Sequence, residues 1–196
     1  MFESPMNAFR LSDVDITVQF QSRLLRQVHV SCLFFSHIAG ISSLMTESLL
    51  PRPAVTVASV VERDGLFLMV EEETRSGLKF NQPAGHLEPG ETLPAAAVRE
   101  ALEETRWRVR PTALIGIYRW ETSDTGATFV RFSFAAEPRE HDPSRPLDIG
   151  IARALWMSYA EIAASRANHR SPLVMRCVDD YRAGMRWPLD LLRESA

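Results

Sequence analysis

The run Gly85-His-Leu-Glu-Pro-Gly-Glu-Thr-Leu-Pro-Ala-Ala-Ala-Val-Arg-Glu-Ala-Leu-Glu-Glu-Thr-Arg-Trp107 constrains the fold more than any other part of the 196-residue chain. It opens with turn formers. Thr92 then suits a helix N-cap, Pro94 the first helical turn, and Ala95 to Arg106 are mostly good helix formers. At roughly 100° per residue, Glu100, Glu103 and Glu104 share one stripe of that helix. Val98 and Leu102 lie near the opposite side, beside Ala101 and Thr105, so charged and apolar groups are segregated. Glutamates at these spacings repel, each pair costing about 0.2–0.5 kcal/mol. Glu103 and Glu104 also lie near the helix C-terminus, where negative charge is disfavoured. Hard divalent cations prefer carboxylate oxygens, so a bound ion would relieve the repulsion and bridge to a diphosphate. Taken alone, a Glu-Xaa-Xaa-Glu-Glu stripe is more often a solvated helix face.

Strands surround this helix. Ala54 to Glu62 is β-branched and extended in character. Asp64-Gly65 marks a tight turn into a returning strand at Leu66 to Val70. Lys79 to Gln82 is a short extended piece ending at Pro83, and Pro83-Ala-Gly85 and Glu88-Pro-Gly90 are loop signals. Leu114 to Glu121 and Ala127 to Ala136 are two further strands, joined across Ser123 to Gly126, and Ala154 to Ser158 is another. Tyr159 to Ser165 and Pro172 to Ala183 read as helices. This order points to a mixed sheet packed between helices, an α/β fold.

Net charge is −3, which argues against a broad nucleic-acid or membrane surface but not against a small phosphorylated substrate. Cys32 and Cys177 are too few and too far apart for a disulfide framework or a zinc site. A reducing, cytoplasmic compartment and a monomer are expected.

The spacing from Gly85 through Glu91 to Arg99-Glu100-Ala101-Leu102-Glu103-Glu104 resembles the box of the Nudix hydrolase family. Six positions fixed over twenty residues are a specific signal. The resemblance implies a Nudix-like α/β/α sandwich with a mixed β-sheet. It implies that Glu100, Glu103 and Glu104 hold a divalent metal together with the Gly85 carbonyl. Magnesium is the usual ion, with manganese as the alternative. It also implies that Glu103 or Glu104 helps to activate water, and that Glu91 and Arg99 brace the loop against the helix. One position departs from the pattern: Arg106 stands where the family usually has a glycine that ends the helix with positive φ. Arginine in that geometry costs on the order of 1 kcal/mol, so a different helix end is open there.

The flanks resemble a phosphatase branch of the same family. The matching pieces are Phe80 to Glu88, Tyr118 to Trp120, Phe129 to Ala135, Asn168 to Val174 and Arg186 to Leu189. That likeness implies release of phosphate from nucleoside di- and triphosphates, and action on hydroxymethylpyrimidine diphosphate. Trp120, Tyr118 or Phe129 would stack on a flat ring. Arg131 would pair with phosphate, and Asn81 and Gln82 would read polar ring edges. Each has a plainer role open to it: strand aromatics as core, Arg131 as a surface ion pair, and Asn81 and Gln82 as caps of backbone groups. His86 is expected to pack the box loop. Two alternatives stay open, a Nudix pyrophosphatase for ADP-ribose or dinucleoside polyphosphates, and a nucleotide-sensing domain without turnover.

Residues 51–196 carry all of these features. Within residues 1–50, Phe20 to Leu25 and Val28 to Ile41 are apolar-rich but follow neither helical nor strand period, and Val28 to Ile41 is too short to span a bilayer. That stretch is expected to be a weakly ordered extension, with Met45 as the physiological start.

Overall fold

The computed structural model describes residues 52–123 and 125–193. The expectations for residues 1–50 lie outside the described residues.

Seven strands form one mixed sheet: β1 (Ala54–Arg63), β2 (Leu66–Thr74), β3 (Gly77–Asn81), β4 (Ala84–His86), β5 (Trp107–Glu121), β6 (Thr128–His141) and β7 (Ile151–Ser158). Three helices accompany them: α1 (Leu93–Thr105), α2 (Tyr159–Ala164) and α3 (Leu173–Arg182). The sheet order is β3-β2-β1-β6-β5, with β4 paired to β1 and β7 to β2. β1 and β6 run parallel from the pair Ala54–Phe129 to the pair Val61–Ala136, and the other pairings are antiparallel.

Alternation along β1 makes the layers. Val57 and Val61 pack with Ala96, Ala97 and Ala101 of α1, and Ser59 Oγ donates to the Ala97 carbonyl at 3.3 Å. Val60 faces the other way, into a core with Ile162 of α2 and Leu173, Val174 and Val178 of α3. The sheet therefore lies between α1 on one face and α2 and α3 on the other, the expected α/β sandwich. Asp64 and Gly65 both take positive φ, 54° and 80°, in the two-residue turn between β1 and β2.

Three local readings change. Ala84–His86, expected as loop, is a strand of three residues against Thr56–Ala58. It is too short for any period to show, yet it fixes Gly85 beneath α1. β5 begins at Trp107, not Leu114. Register shifts at Arg108–Val109, Pro111–Ala113 and Leu114–Gly116 break its alternation, which hid the first half from pattern reading. Finally, the carboxylate stripe of α1 lies on the buried side. Ala97, Glu100, Ala101, Glu104 and Thr105 are buried, while Val98 and Leu102 are only half-buried. Small alanines let the helix lie close to the sheet, and this brings the glutamates inward.

Candidate active site

α1 starts as its sequence dictates, with Thr92 Oγ1 accepting from Ala95 N at 3.2 Å. It ends with Arg106 in the left-handed conformation, φ 65° and ψ 7°, its N–H donating to the Leu102 carbonyl. The departure from glycine thus leaves the helix end unchanged, at the cost of a strained residue. Its Nε is buried without a hydrogen-bond partner. The reversed chain is held by Asp142 N, which donates to the Arg106 carbonyl at 2.9 Å.

Arg99 organises the loop before α1. Its Nε and Nη2 grip the two oxygens of Glu91 at 2.6 and 3.0 Å, and Nη2 also donates to the His86 carbonyl at 2.9 Å. Nη1 reaches Glu100 Oε1 at 2.8 Å and Glu103 Oε2 at 3.1 Å. The bidentate pair holds the Glu91 carboxyl below its usual range.

Glu100 and Glu104 are each only 8% exposed. Glu104 Oε2 accepts from Ala84 N at 2.8 Å. Burial is the main reason its carboxyl is pushed up to about 9. The Ala84 N–H opposes that shift, and the charges of Glu100, Glu72 and Asp148 add to it. Burial raises the Glu100 carboxyl as well, against the pull of Arg99. Glu100 packs so closely on Gly85 that a Cβ there would meet all three carboxylate atoms, Oε1, Cδ and Oε2. Gly85 is therefore required for close approach, not for backbone freedom.

The donor set fits a hard divalent cation. Glu100, Glu103, Glu104 and the Gly85 carbonyl offer only oxygens, and buried carboxylates facing one another need a positive partner. Among the described residues, no group of three His, Cys, Asp or Glu side chains meets at metal-ligand spacing. Glu103 is instead drawn to Arg99 and lies 3.8 Å from Arg145, and Glu104 is drawn to Ala84 N.

Ala84, Gly85 and His86 also line a cleft of about 210 Å³ on the far side of β4. Trp120 and Phe129 form one wall, stacked with centroids 5.6 Å apart. Asn81 and Arg131 lie within it, linked by a long hydrogen bond of 3.4 Å from Arg131 Nη1 to Asn81 Oδ1. Burial lowers the Arg131 guanidinium from its usual value, against the charges of Cys177, Glu72 and Glu104. Gln82 does not line the cleft. It is 1% exposed and donates to the Val174 carbonyl at 2.6 Å, tying β3 to α3, so its expected reading of the substrate gives way to a packing role. Tyr118 is also outside, its hydroxyl donating to Asp180 Oδ2 at 3.0 Å. Sequence reasoning missed Glu72 and Arg170, which line the cleft and pair at 3.4 Å. The Glu71-Glu72-Glu73 run lies beyond Val70, where the returning strand was expected to end, and Arg170 lies in a connection between helices without periodicity.

Among the described residues, no helix is long and apolar enough to cross a membrane. The NUDIX domain model matches residues 50–177. The phosphatase NudJ of Escherichia coli strain K12 is 43% identical over 141 residues, covering 72% of this chain and 91% of its own length. A solved Nudix hydrolase from Nitrosomonas europaea is 51% identical with TM-score 0.72, covering 74% of this chain and 98% of that one. A MutT protein from Methanosarcina mazei Go1, 19% identical with TM-score 0.53, shares the fold. With the glycine-to-glutamate spacing, the sheet and these likenesses in agreement, the chain belongs to the Nudix family and is a hydrolase homologous to NudJ.

Proposed function

We propose that the enzyme is a divalent-metal-dependent phosphatase that releases phosphate from nucleoside di- and triphosphates, with hydroxymethylpyrimidine diphosphate as a further substrate. The observation that carries this reading is the sharing of β4 by two sites. The Glu100 carboxylate covers Gly85 and Glu104 binds Ala84 N, while Ala84, Gly85 and His86 line the aromatic cleft. A substrate ring stacked at Trp120 thus has its phosphates directed along β4 to the carboxylates.

Gly85, Glu100, Glu103 and Glu104 would hold the metal, magnesium or manganese. When bound, it supplies charge to polarise the phosphoryl oxygens and to lower the pKa of water. The chain's own residues do the rest. Glu103 or Glu104 accepts the proton of the attacking water. Glu91 and Arg99 keep the loop in register with the helix. Asn81, Arg131 and Trp120 bind the substrate, and the free N–H groups of Arg131 face a ligand of opposite polarity. Water attacking the terminal phosphorus breaks the anhydride bond and yields inorganic phosphate and the shortened nucleotide. Two cysteines far apart in sequence, too few for a disulfide framework, fit a reducing, cytoplasmic compartment.

The test is product identification from a nucleotide panel with Mg²⁺. Inorganic phosphate is expected. Two nucleotide-sized products from ADP-ribose or dinucleoside polyphosphates, with no phosphate from the panel, would overturn the reading.

A further inference from the structure

The strand registers set an order along the cleft. Phe129, paired with Trp120, lies level with Ala54 of β1. Arg131 and His86 both lie level with Thr56, and Gly85 lies level with Val57. Along β1 the aromatic wall therefore comes first. Thr56 and Arg131 follow about 7 Å further on, and Gly85 comes one residue beyond them. Val57 and Phe132 pack on the α1 side of the sheet, so Thr56 and Arg131 stand side by side on the opposite face, where both line the cleft.

The protein satisfies neither of these two side chains. Among the described residues Arg131 forms no ion pair, and its one side-chain hydrogen bond runs 3.4 Å from Nη1 to the neutral Asn81 amide. The carboxylate that lines the cleft, Glu72, is already engaged by Asn81 at 3.2 Å and Arg170 at 3.4 Å. Two guanidiniums against one carboxylate leave the lining with surplus positive charge. Thr56 is 6% exposed, and its Oγ1 is buried without a hydrogen-bond partner. An unpaired buried hydroxyl is costly, and a valine of the same shape would avoid that cost. An unpaired cation and an unpaired hydroxyl on neighbouring strands, about 4.8 Å apart, suit two oxygens of one phosphate.

We propose that Thr56 and Arg131 form a subsite for the phosphate that stays with the product, the one joined to the phosphorus under attack. This rests on the nucleotide reading above and sharpens it. With the inner phosphate held at Thr56 and Arg131, the order along β1 carries the outer phosphate on to Gly85 and the glutamates of α1. The subsite thus decides which phosphorus is attacked. Thr56 donates its hydroxyl to a phosphate oxygen, and Arg131 supplies charge and further donors.

The experiment measures binding without turnover. With divalent metal chelated, Kd is measured by calorimetry for CMP against cytidine and for AMP against adenosine, in the wild type, Thr56→Val and Thr56→Ser. The wild type is expected to bind a monophosphate at least about tenfold more tightly than its nucleoside. Thr56→Val should weaken the monophosphate by roughly tenfold, the scale of a hydrogen bond to a charged group, and leave the nucleoside unchanged. Thr56→Ser keeps the hydroxyl and should keep the preference. The Tm of Thr56→Val should equal or exceed that of the wild type, because no bond within the protein is lost. Equal affinity for monophosphate and nucleoside in the wild type overturns the proposal, as does the failure of both monophosphates to bind at millimolar concentration. An unchanged ratio in Thr56→Val overturns it too. So does a lower Tm in that variant, which would show the hydroxyl to be bonded within the protein. If the nucleotide panel yields no phosphate, the functional reading fails by itself, and these metal-free ratios still decide the subsite.

Discussion

Replacing Gly85 with alanine isolates the link between the box loop and the glutamate-bearing helix α1. Gly85 does not take positive φ, so alanine brings no backbone strain. Its methyl group would instead enter the space of the Glu100 carboxylate, with Oε1, Cδ and Oε2 all inside the 3.0 Å that real Cβ contacts keep. Glu100 is buried and held at 2.8 Å by Arg99 Nη1, so it has little room to move away. Relief needs a shift of about 1 Å, and a misplacement of that size in a catalytic group costs on the order of 10²-fold in rate. Overpacking of this kind costs about 1–3 kcal/mol of stability. Gly85→Ala is therefore expected to lose roughly 10²-fold in kcat/KM for phosphate release while remaining folded. Combining it with Glu100→Ala removes the clash, so the melting temperature should recover while activity does not. A Gly85→Ala variant with wild-type kcat/KM would refute the close-approach argument. A double variant that melts no higher than Gly85→Ala would refute the assignment of the strain to Glu100.

Arg99→Ala leaves Glu91, Glu100 and Glu103 without their shared cation, and thermal or urea unfolding should show a loss of about 3 kcal/mol. A loss no larger than that of an exposed ion pair, about 0.2–1 kcal/mol, would contradict the bracing role. Arg106→Gly removes a side chain from φ 65° and an unpartnered buried Nε, and keeps the backbone bonds to Leu102 and Asp142. Stability should rise by about 1 kcal/mol, or roughly 2–4 °C in Tm, and a fall in Tm would refute it. Trp120→Ala removes the stacking wall. KM for nucleotides should rise by a factor matching about 1–3 kcal/mol with kcat nearly constant, and an unchanged KM would place the ring elsewhere.

The parts of the molecule legible in sequence were those whose causes are local. The Asp64-Gly65 turn, the Thr92 cap and the two later helices each follow from a few adjacent residues. The glutamate stripe was legible as a stripe, because helical geometry fixes it. Its burial was not, since which face turns inward depends on alanines meeting a sheet formed far away in sequence. β4 and the first half of β5 were hidden for related reasons, one too short for a period and the other interrupted by register shifts. The cleft shows the same limit. Trp120, Asn81 and Arg131 were found, but Gln82, one residue past the end of β3, is bound instead to the Val174 carbonyl of α3. Glu72 and Arg170 come together only through the pairing of β2 with β3 and the return of the chain before α3.

The central claim is that Glu100, Glu103 and Glu104 of α1 act on a terminal phosphate presented along β4. It is tested most directly by measuring inorganic phosphate released from nucleoside di- and triphosphates with Mg²⁺, in the wild type and in Glu103→Gln and Glu104→Gln. The account predicts phosphate release by the wild type that is abolished by chelation and falls sharply in at least one of the two variants. Full activity in both variants would contradict it.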